Sequence, residues 1–217
     1  MSFSEKLKNN NLDLWDKTHV NHPFVQAIKN GNLDFKNFKF YMIQDYKFLI
    51  EYCKVISIAI SKSNDFETMS FLSMLLDETL NSEMALHEKF CNDYGIKTNE
   101  LLKFETASGT QAYCNYLIST AYKFDTNLIC CALLPCQWGY DEIGRKLGEN
   151  NNAQPDSFHK RWIESYNDTE YQKITSWLIN HVDSNEENID NKVANSIFRK
   201  SLENEYIFWN SSWKLQY

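Results

Sequence analysis

The chain is poor in the residues that interrupt helices. Its 217 residues include only six glycines and three prolines, too few for the many tight turns of a β-sandwich or a β-barrel. Long stretches run without a breaker, which favours an all-α protein. No shift in composition divides the sequence, so we expect one domain that spans residues 1–217.

Other absences exclude several classes of function. The net charge is −7 and no run of Lys and Arg could follow a phosphate backbone, so we expect no nucleic-acid partner. The chain has neither the apolar core of a signal peptide nor a stretch long enough to span a membrane, which indicates a soluble, cytoplasmic protein without a membrane partner. It also lacks a glycine-rich phosphate loop and a Ser-His-Asp signature. A small-molecule partner is the expectation that remains.

The six cysteines show no Cys-x-x-Cys spacing, which is typical of free thiols in a reducing compartment and argues against a zinc site. Cys136 stands out because it follows Pro135. Proline has no N–H for the carbonyl of Cys131, so we expect a kinked helix and a carbonyl in need of another partner. Tyr140 lies on the same helical face as Cys136. The pair indicates a reactive site, although a buried structural thiol is the commoner role of cysteine.

Capping and turn residues predict the helix boundaries. A capping box formed by Ser2 and Glu5 opens the first helix, Pro23 suits the first turn of the next, which Gly31 ends, and Asp34 caps a long one. Further helices are expected from about 64 or 65 to 95, 108 to 124, 125 or 126 to 148, 156 to 166, 169 to 181 and 187 to 213, with a loop at 149–155.

Acidic residues occupy core positions in otherwise apolar helical stripes. Asp45 does so in the long helix and Glu205 in the last helix. A buried carboxylate without partners is costly, so each must be hydrogen-bonded, paired or facing a polar cavity. For Asp45, a structural brace and a ligand contact both remain open at this point.

Glu83 and His87 together interrupt a third apolar stripe. A Glu/His pair four residues apart could belong to a dinuclear metal site, but such a site needs Glu-x-x-His on two helices and we find no second copy. The favoured interpretation is that the two side chains satisfy each other in the core. A metal-dependent oxygenase is therefore kept as an alternative function.

Several short motifs, read together, resemble those of the TenA family, the thiaminase II or aminopyrimidine aminohydrolase enzymes. Each motif is weak alone, but their order and spacing over nearly the whole chain are specific. They are His22-Pro23-Phe24, Gln44-Asp45-Tyr46, Glu83-Met84-x-x-His87, Leu134-Pro135-Cys136-x-Trp138-x-Tyr140, Trp162-Ile163-x-x-Tyr166 and Glu205-Tyr206-x-Phe208-Trp209.

The resemblance implies a heme-oxygenase-like helical bundle, assembled as a homotetramer, that needs no metal or organic cofactor. It implies hydrolysis of the bond between an aminopyrimidine methylene and a nitrogen leaving group. The substrate is thiamin or 4-amino-5-aminomethyl-2-methylpyrimidine, and the product, 4-amino-5-hydroxymethyl-2-methylpyrimidine, serves thiamin salvage.

The resemblance also assigns roles by position. Cys136 is the implied nucleophile, Glu205 the proton donor and acceptor, and Asp45 the carboxylate that holds the pyrimidine. A thiolate that adds to the ring makes it electron-rich enough to expel a group from the exocyclic methylene, and a carboxyl kept neutral by burial can protonate the ring nitrogen. The pocket is expected to be lined by Tyr113, Tyr140 and Tyr166.

Phe48 departs from the family pattern. Many members have a tyrosine at this position, whose hydroxyl can assist the active thiol. No histidine lies near Cys136 in sequence, so the sequence names no group that activates the thiol. A non-catalytic pyrimidine-binding protein on the same fold is therefore a second alternative.

Overall fold

A computed structural model describes the backbone of residues 1–217 and all side chains except those of residues 98 and 99. Within that description the chain forms helices and no strand, as the scarcity of breakers predicts. The helices are α1 (Phe3–Asn9), α2 (Leu12–Trp15), α3 (Pro23–Lys29), α4 (Phe35–Lys62), α5 (Phe66–Asp77), α6 (Met84–Asp93), α7 (Thr98–Leu101), α8 (Ser108–Lys123), α9 (Thr126–Glu149), α10 (Phe158–Tyr166), α11 (Thr169–Ser184) and α12 (Asn191–Lys214).

Most helix starts follow the predicted caps. Ser2 and Glu5 form the capping box of α1, with both reciprocal hydrogen bonds present. Such caps satisfy backbone N–H groups that have no partner within the helix. The carboxylates that accept a backbone N–H at the start of α4, α5 and α9 are those of Asp34, Asp65 and Asp125.

Two predicted boundaries were wrong. The last helix begins at Asn191 rather than near 187, because Asp190 caps it and Glu186–Asn188 forms a separate 3₁₀ turn. The segment predicted as one helix up to Gly95 contains a π-helical stretch at Glu78–Glu83 between α5 and α6. A π-helical turn holds an extra residue, so the side chains after it face a different direction. Neither the capping residues nor the spacing of apolar residues reveals such a turn.

Helix α9 continues through Pro135 without a break. The hydroxyl of Ser201, on α12, donates a 2.8 Å hydrogen bond to the carbonyl of Ala132. The carbonyl predicted to need a partner was that of Cys131. The hydroxyl of Ser201 instead binds the next carbonyl along the same turn, that of Ala132. The bond ties α9 to α12 one turn before Cys136.

Helix α4 lies at the centre of the bundle and packs against α5, α6, α8, α9 and α12. It contributes the largest share of buried aromatic side chains, which join those of α9, α10 and α12 in one hydrophobic core. In the part of the chain that is described, no helix has the length and apolar character needed to cross a membrane. The central position of α4 places Asp45 within reach of four other helices.

Candidate active site

Asp45 projects from α4 into the bundle and is only 4% exposed. Its Oδ2 atom accepts a 2.8 Å hydrogen bond from the hydroxyl of Tyr41 and lies 2.7 Å from Nε2 of His87. The indole N–H of Trp162 in turn donates to the Tyr41 hydroxyl at 3.3 Å. Within the described residues both hydrogen bonds of the Asp45 carboxylate are at Oδ2, which leaves Oδ1 for a ligand. Asp45 is thus both braced and able to bind.

His87 joins two chain segments at this carboxylate. Its Nδ1 atom lies 2.9 Å from the backbone carbonyl of Glu83, while Nε2 reaches Asp45. The predicted pairing of the Glu83 and His87 side chains is therefore wrong, because the imidazole reaches across to α4. Burial opposes the charge of His87, but the hydrogen bond and charge of Asp45 outweigh it and raise the pKa of the imidazole.

The alternative function, a metal-dependent oxygenase, depended on His87 as a metal ligand. Both ring nitrogens of His87 are engaged by oxygen atoms of the chain. Across the described side chains, no three His, Cys, Asp or Glu residues converge as a set that could hold a metal ion. Metal sites in helical bundles need such convergent donors.

Glu83 ends the π-helical stretch and is half-buried. Its Oε1 atom accepts a 3.1 Å hydrogen bond from the hydroxyl of Tyr166 on α10. Burial raises the pKa of the Glu83 carboxyl to about 7, against the opposing effect of His87 and with a further increase from the charge of Asp45. A carboxyl with this pKa can both donate and accept a proton near neutral pH.

Cys136 is half-buried on α9. Burial raises the pKa of its thiol well above the usual range, and the negative charges of Glu205, Asp45 and Glu83 raise it further. At neutral pH the resting thiol therefore keeps its proton. Three carboxyl groups from three different segments act on the thiol through their charge, and activation requires a base that accepts its proton.

Glu205 is the carboxyl best placed for this exchange. It is 1% exposed, and burial raises the pKa of its carboxyl to about 8. Tyr113 and Cys136 act in the opposite direction and lower this pKa, while the charge of Asp45 raises it further. Within the described residues, Oε2 of Glu205 and the hydroxyls of Tyr113 and Tyr52 are buried without a hydrogen-bond partner. Native proteins rarely leave such groups unsatisfied. Burial raises the pKa of both tyrosine hydroxyls well above the usual range, and the charge of Cys136 raises it further.

Aromatic rings form the walls of this region. The rings of Tyr140 and Tyr166 lie 4.8 Å apart, and Tyr140 stacks on Trp209 at 5.3 Å. On the other side, Phe48 packs against Tyr113 at 4.8 Å. Such surfaces suit a flat heterocycle and keep water away from it.

The structure brings the predicted site residues together from five helices. Sequence reasoning missed four others that belong here: Tyr41, Tyr52, His87 as the partner of Asp45, and Trp162. The spacing of Tyr41 and Asp45, one helical turn apart on α4, could have identified that pair. The predicted residues that meet in this region are Asp45, Phe48, Tyr113, Cys136, Tyr140, Tyr166 and Glu205.

The chain is similar to known proteins over nearly its whole length. The model of the TENA/THI-4/PQQC family matches residues 9–215. The chain belongs to this family. A relative from Halalkalibacterium halodurans, named aminopyrimidine aminohydrolase, is 36% identical over 216 residues, which cover 98% of this chain and 96% of the relative.

Solved structures place the family fold on the whole chain. The TenA homologue from P. horikoshii OT3 superposes with a TM-score of 0.89 and 25% identity, covering 99% of both chains. A Shewanella denitrificans domain described as having a heme oxygenase-like fold superposes with a TM-score of 0.74 at 13% identity, covering 98% of this chain and 92% of that one. The expected heme-oxygenase-like, all-α fold is confirmed.

Proposed function

We propose that this protein is an aminopyrimidine aminohydrolase of thiamin salvage. It hydrolyses 4-amino-5-aminomethyl-2-methylpyrimidine, thiamin or both, and releases 4-amino-5-hydroxymethyl-2-methylpyrimidine. The observation that carries the proposal is the juxtaposition of the Cys136 thiol with the buried, proton-holding carboxyl of Glu205. The name of the 36% identical relative supports the same reaction.

Binding of the pyrimidine follows from the free oxygen of Asp45. The ring's exocyclic amino group donates to Oδ1, while His87 and Tyr41 hold Oδ2 and fix the carboxylate. Tyr140 and Tyr166 supply an aromatic wall on one side and Tyr113 on the other. The ring is thereby held with its reactive carbon toward α9, because preorganised contacts reduce the entropy lost on reaching the transition state.

Two proton transfers activate the thiol. Neutral Glu205 first donates its proton to a ring nitrogen, which makes the ring more electrophilic and leaves a carboxylate beside Cys136. That carboxylate then takes the thiol proton as sulfur bonds to the ring carbon. Glu205 begins and ends the step neutral, and the thiol proton has in effect moved to the ring. No hydroxyl at the position of Phe48 is needed for this exchange.

Expulsion and hydration complete the reaction. The electron pair gained by the ring breaks the bond between the exocyclic methylene and the leaving nitrogen. That nitrogen departs with the pair, as the neutral thiazole from thiamin or, once it carries a third hydrogen, as ammonia from the aminomethyl compound. Water then adds to the methylene, giving the hydroxymethyl group, and the Cys136–ring bond breaks to restore the free thiol. Overall, one water is consumed and one amine or thiazole is released.

The proposal includes a cytoplasmic homotetramer in which residues 1–217 form one domain, as the family resemblance implies. We expect light scattering to give a mass near four times that of the 25.6 kDa chain. A monomeric mass with full turnover would contradict it.

The experiment that tests the function follows product release by wild-type protein from each of the two compounds, with binding measured in parallel by calorimetry. We expect hydroxymethylpyrimidine from at least one compound, and the ratio of the two rates names the preferred substrate. Binding without turnover would favour the non-catalytic pyrimidine-binding protein. The absence of both binding and turnover would overturn both proposed functions.

A further inference from the structure

The carboxyl of Glu83 has no part in the steps described above, although three elements of the site hold it in place. The backbone carbonyl of Glu83 contacts His87, which in turn contacts Asp45. The backbone of Glu83 is therefore fixed relative to the carboxylate that binds the pyrimidine. Its side chain is fixed separately by the 3.1 Å hydrogen bond from Tyr166. The π-helical stretch that ends at Glu83 supplies the rotation that sets this side chain toward the site, and such stretches occur often at functional sites.

Glu83 differs from the other two acids in its access to solvent. Asp45 and Glu205 are 4% and 1% exposed, whereas Glu83 and Cys136 are half-buried. The carboxyl of Glu83 accepts from Tyr166, whose ring lies 4.8 Å from that of Tyr140, and Tyr140 is one helical turn from Cys136 on α9. Asp45 and Glu205 are occupied with the ring's amino group and a ring nitrogen. The outward side of the site, where Glu83 lies, is left for the exocyclic methylene and its leaving group.

The two leaving groups make different demands on such a carboxyl. When thiamin is cleaved, the thiazolium nitrogen carries no hydrogen and leaves as a neutral thiazole, so no proton is required. When the aminomethyl compound is cleaved, the nitrogen must carry three hydrogens at the moment of departure to leave as ammonia. On the basis of the proposed function, we infer that Glu83 gives this proton to the amine as the C–N bond breaks.

The bonds and protons balance in this step. The C–N bond breaks with its electron pair going to nitrogen, the proton of Glu83 forms the third N–H bond of ammonia, and Glu83 becomes a carboxylate. Water that adds to the methylene afterwards releases one proton, which restores the neutral carboxyl. A pKa of about 7 lets Glu83 hold and return that proton near neutral pH.

The test compares wild type with Glu83→Gln on both compounds. The amide keeps the size of the side chain and an acceptor for Tyr166 but has no proton to transfer. We expect kcat for the aminomethyl compound to fall by about 10²-fold or more, the usual contribution of a general acid, while kcat for thiamin changes by less than about threefold. Equal losses on both compounds, or no loss on either, would overturn the inference.

Glu88→Gln is the matched control, because Glu88 is also half-buried and also accepts a hydrogen bond from a tyrosine hydroxyl, that of Tyr46, at 3.5 Å. We expect it to turn over both compounds as wild type does. Should Glu83→Gln fail to melt cooperatively, Glu83→Asp provides the second test. It keeps a proton donor at greater distance, so its amine-to-thiamin rate ratio should fall below that of wild type. A ratio equal to that of wild type in a folded Glu83→Asp protein would count against the proton transfer. Failure of wild type on both compounds would instead refute the proposed function itself.

Discussion

His87 and Asp45, 42 residues apart in sequence, form a buried pair in which Nε2 lies 2.7 Å from Oδ2. The pair joins α6 to α4 and sets the orientation of the carboxylate on which pyrimidine binding depends. Breaking one member of a buried pair leaves the other charge without compensation, which is costly.

We therefore expect His87→Ala to destabilise the protein and to weaken substrate binding. The free energy of unfolding should fall by about 3 kcal/mol, and KM should rise more than kcat falls, because Asp45 binds the ring but takes no part in proton transfer. Thermal melting and steady-state kinetics measure the two effects. His181→Ala is the control, since the imidazole of His181 is hydrogen-bonded to Asn127 and stacks on Trp177, outside the site. An unchanged melting temperature for His87→Ala would contradict the role of the pair.

The pH dependence of thiamin cleavage distinguishes two ways of activating Cys136. If neutral Glu205 must protonate the ring, kcat/KM falls as pH rises through about 8, the pKa of that carboxyl. If ionisation of the thiol were limiting, kcat/KM would instead rise over the same range, because the thiol pKa is raised. Our account predicts the fall. Thiamin is the suitable substrate because its leaving group needs no proton.

The same carboxyl should make the protein less stable in base. The folded pKa of Glu205, about 8, exceeds the ordinary value of 4.5, so its contribution to stability is present below pH 4.5 and is lost as pH rises through about 8. Glu205→Gln removes this dependence. Relative to wild type, we expect the free energy of unfolding of the variant to gain about 3–6 kcal/mol between pH 4 and pH 9. Denaturant unfolding at both pH values checks this, and a constant difference would contradict it.

The sequence allowed much of this architecture to be predicted, because caps and apolar stripes are local signals. Asp34 and Asp125 begin their helices as predicted, and the inward position of Asp45 followed from its place in an apolar stripe. Contacts between distant segments were not accessible in this way. The hydrogen bond of His87 to Asp45 depends on how two helices cross, and the π-helical stretch that precedes α6 has no recognised sequence signal.

Two glycines of α9 offer a matched test of how α10 is positioned against the site. A Cβ at Gly144 would clash with the backbone carbonyl of Tyr166, whereas a Cβ at Gly148 would meet only the side-chain end of Asn167. Alanine favours a helix over glycine by about 1 kcal/mol. We expect Gly148→Ala to be neutral or stabilising, while Gly144→Ala lowers stability by about 1–3 kcal/mol and also reduces turnover. Similar melting temperatures for the two variants would contradict this.

The claim that Cys136 is the nucleophile is central, and the most direct test measures hydroxymethylpyrimidine release by Cys136→Ala beside Cys131→Ala. Cys131 lies on the same helix but is completely buried, so its loss tests the removal of a thiol without touching the site. We predict that Cys136→Ala folds normally and releases no product from either compound, while Cys131→Ala retains turnover. Undiminished release by a folded Cys136→Ala protein would contradict the account.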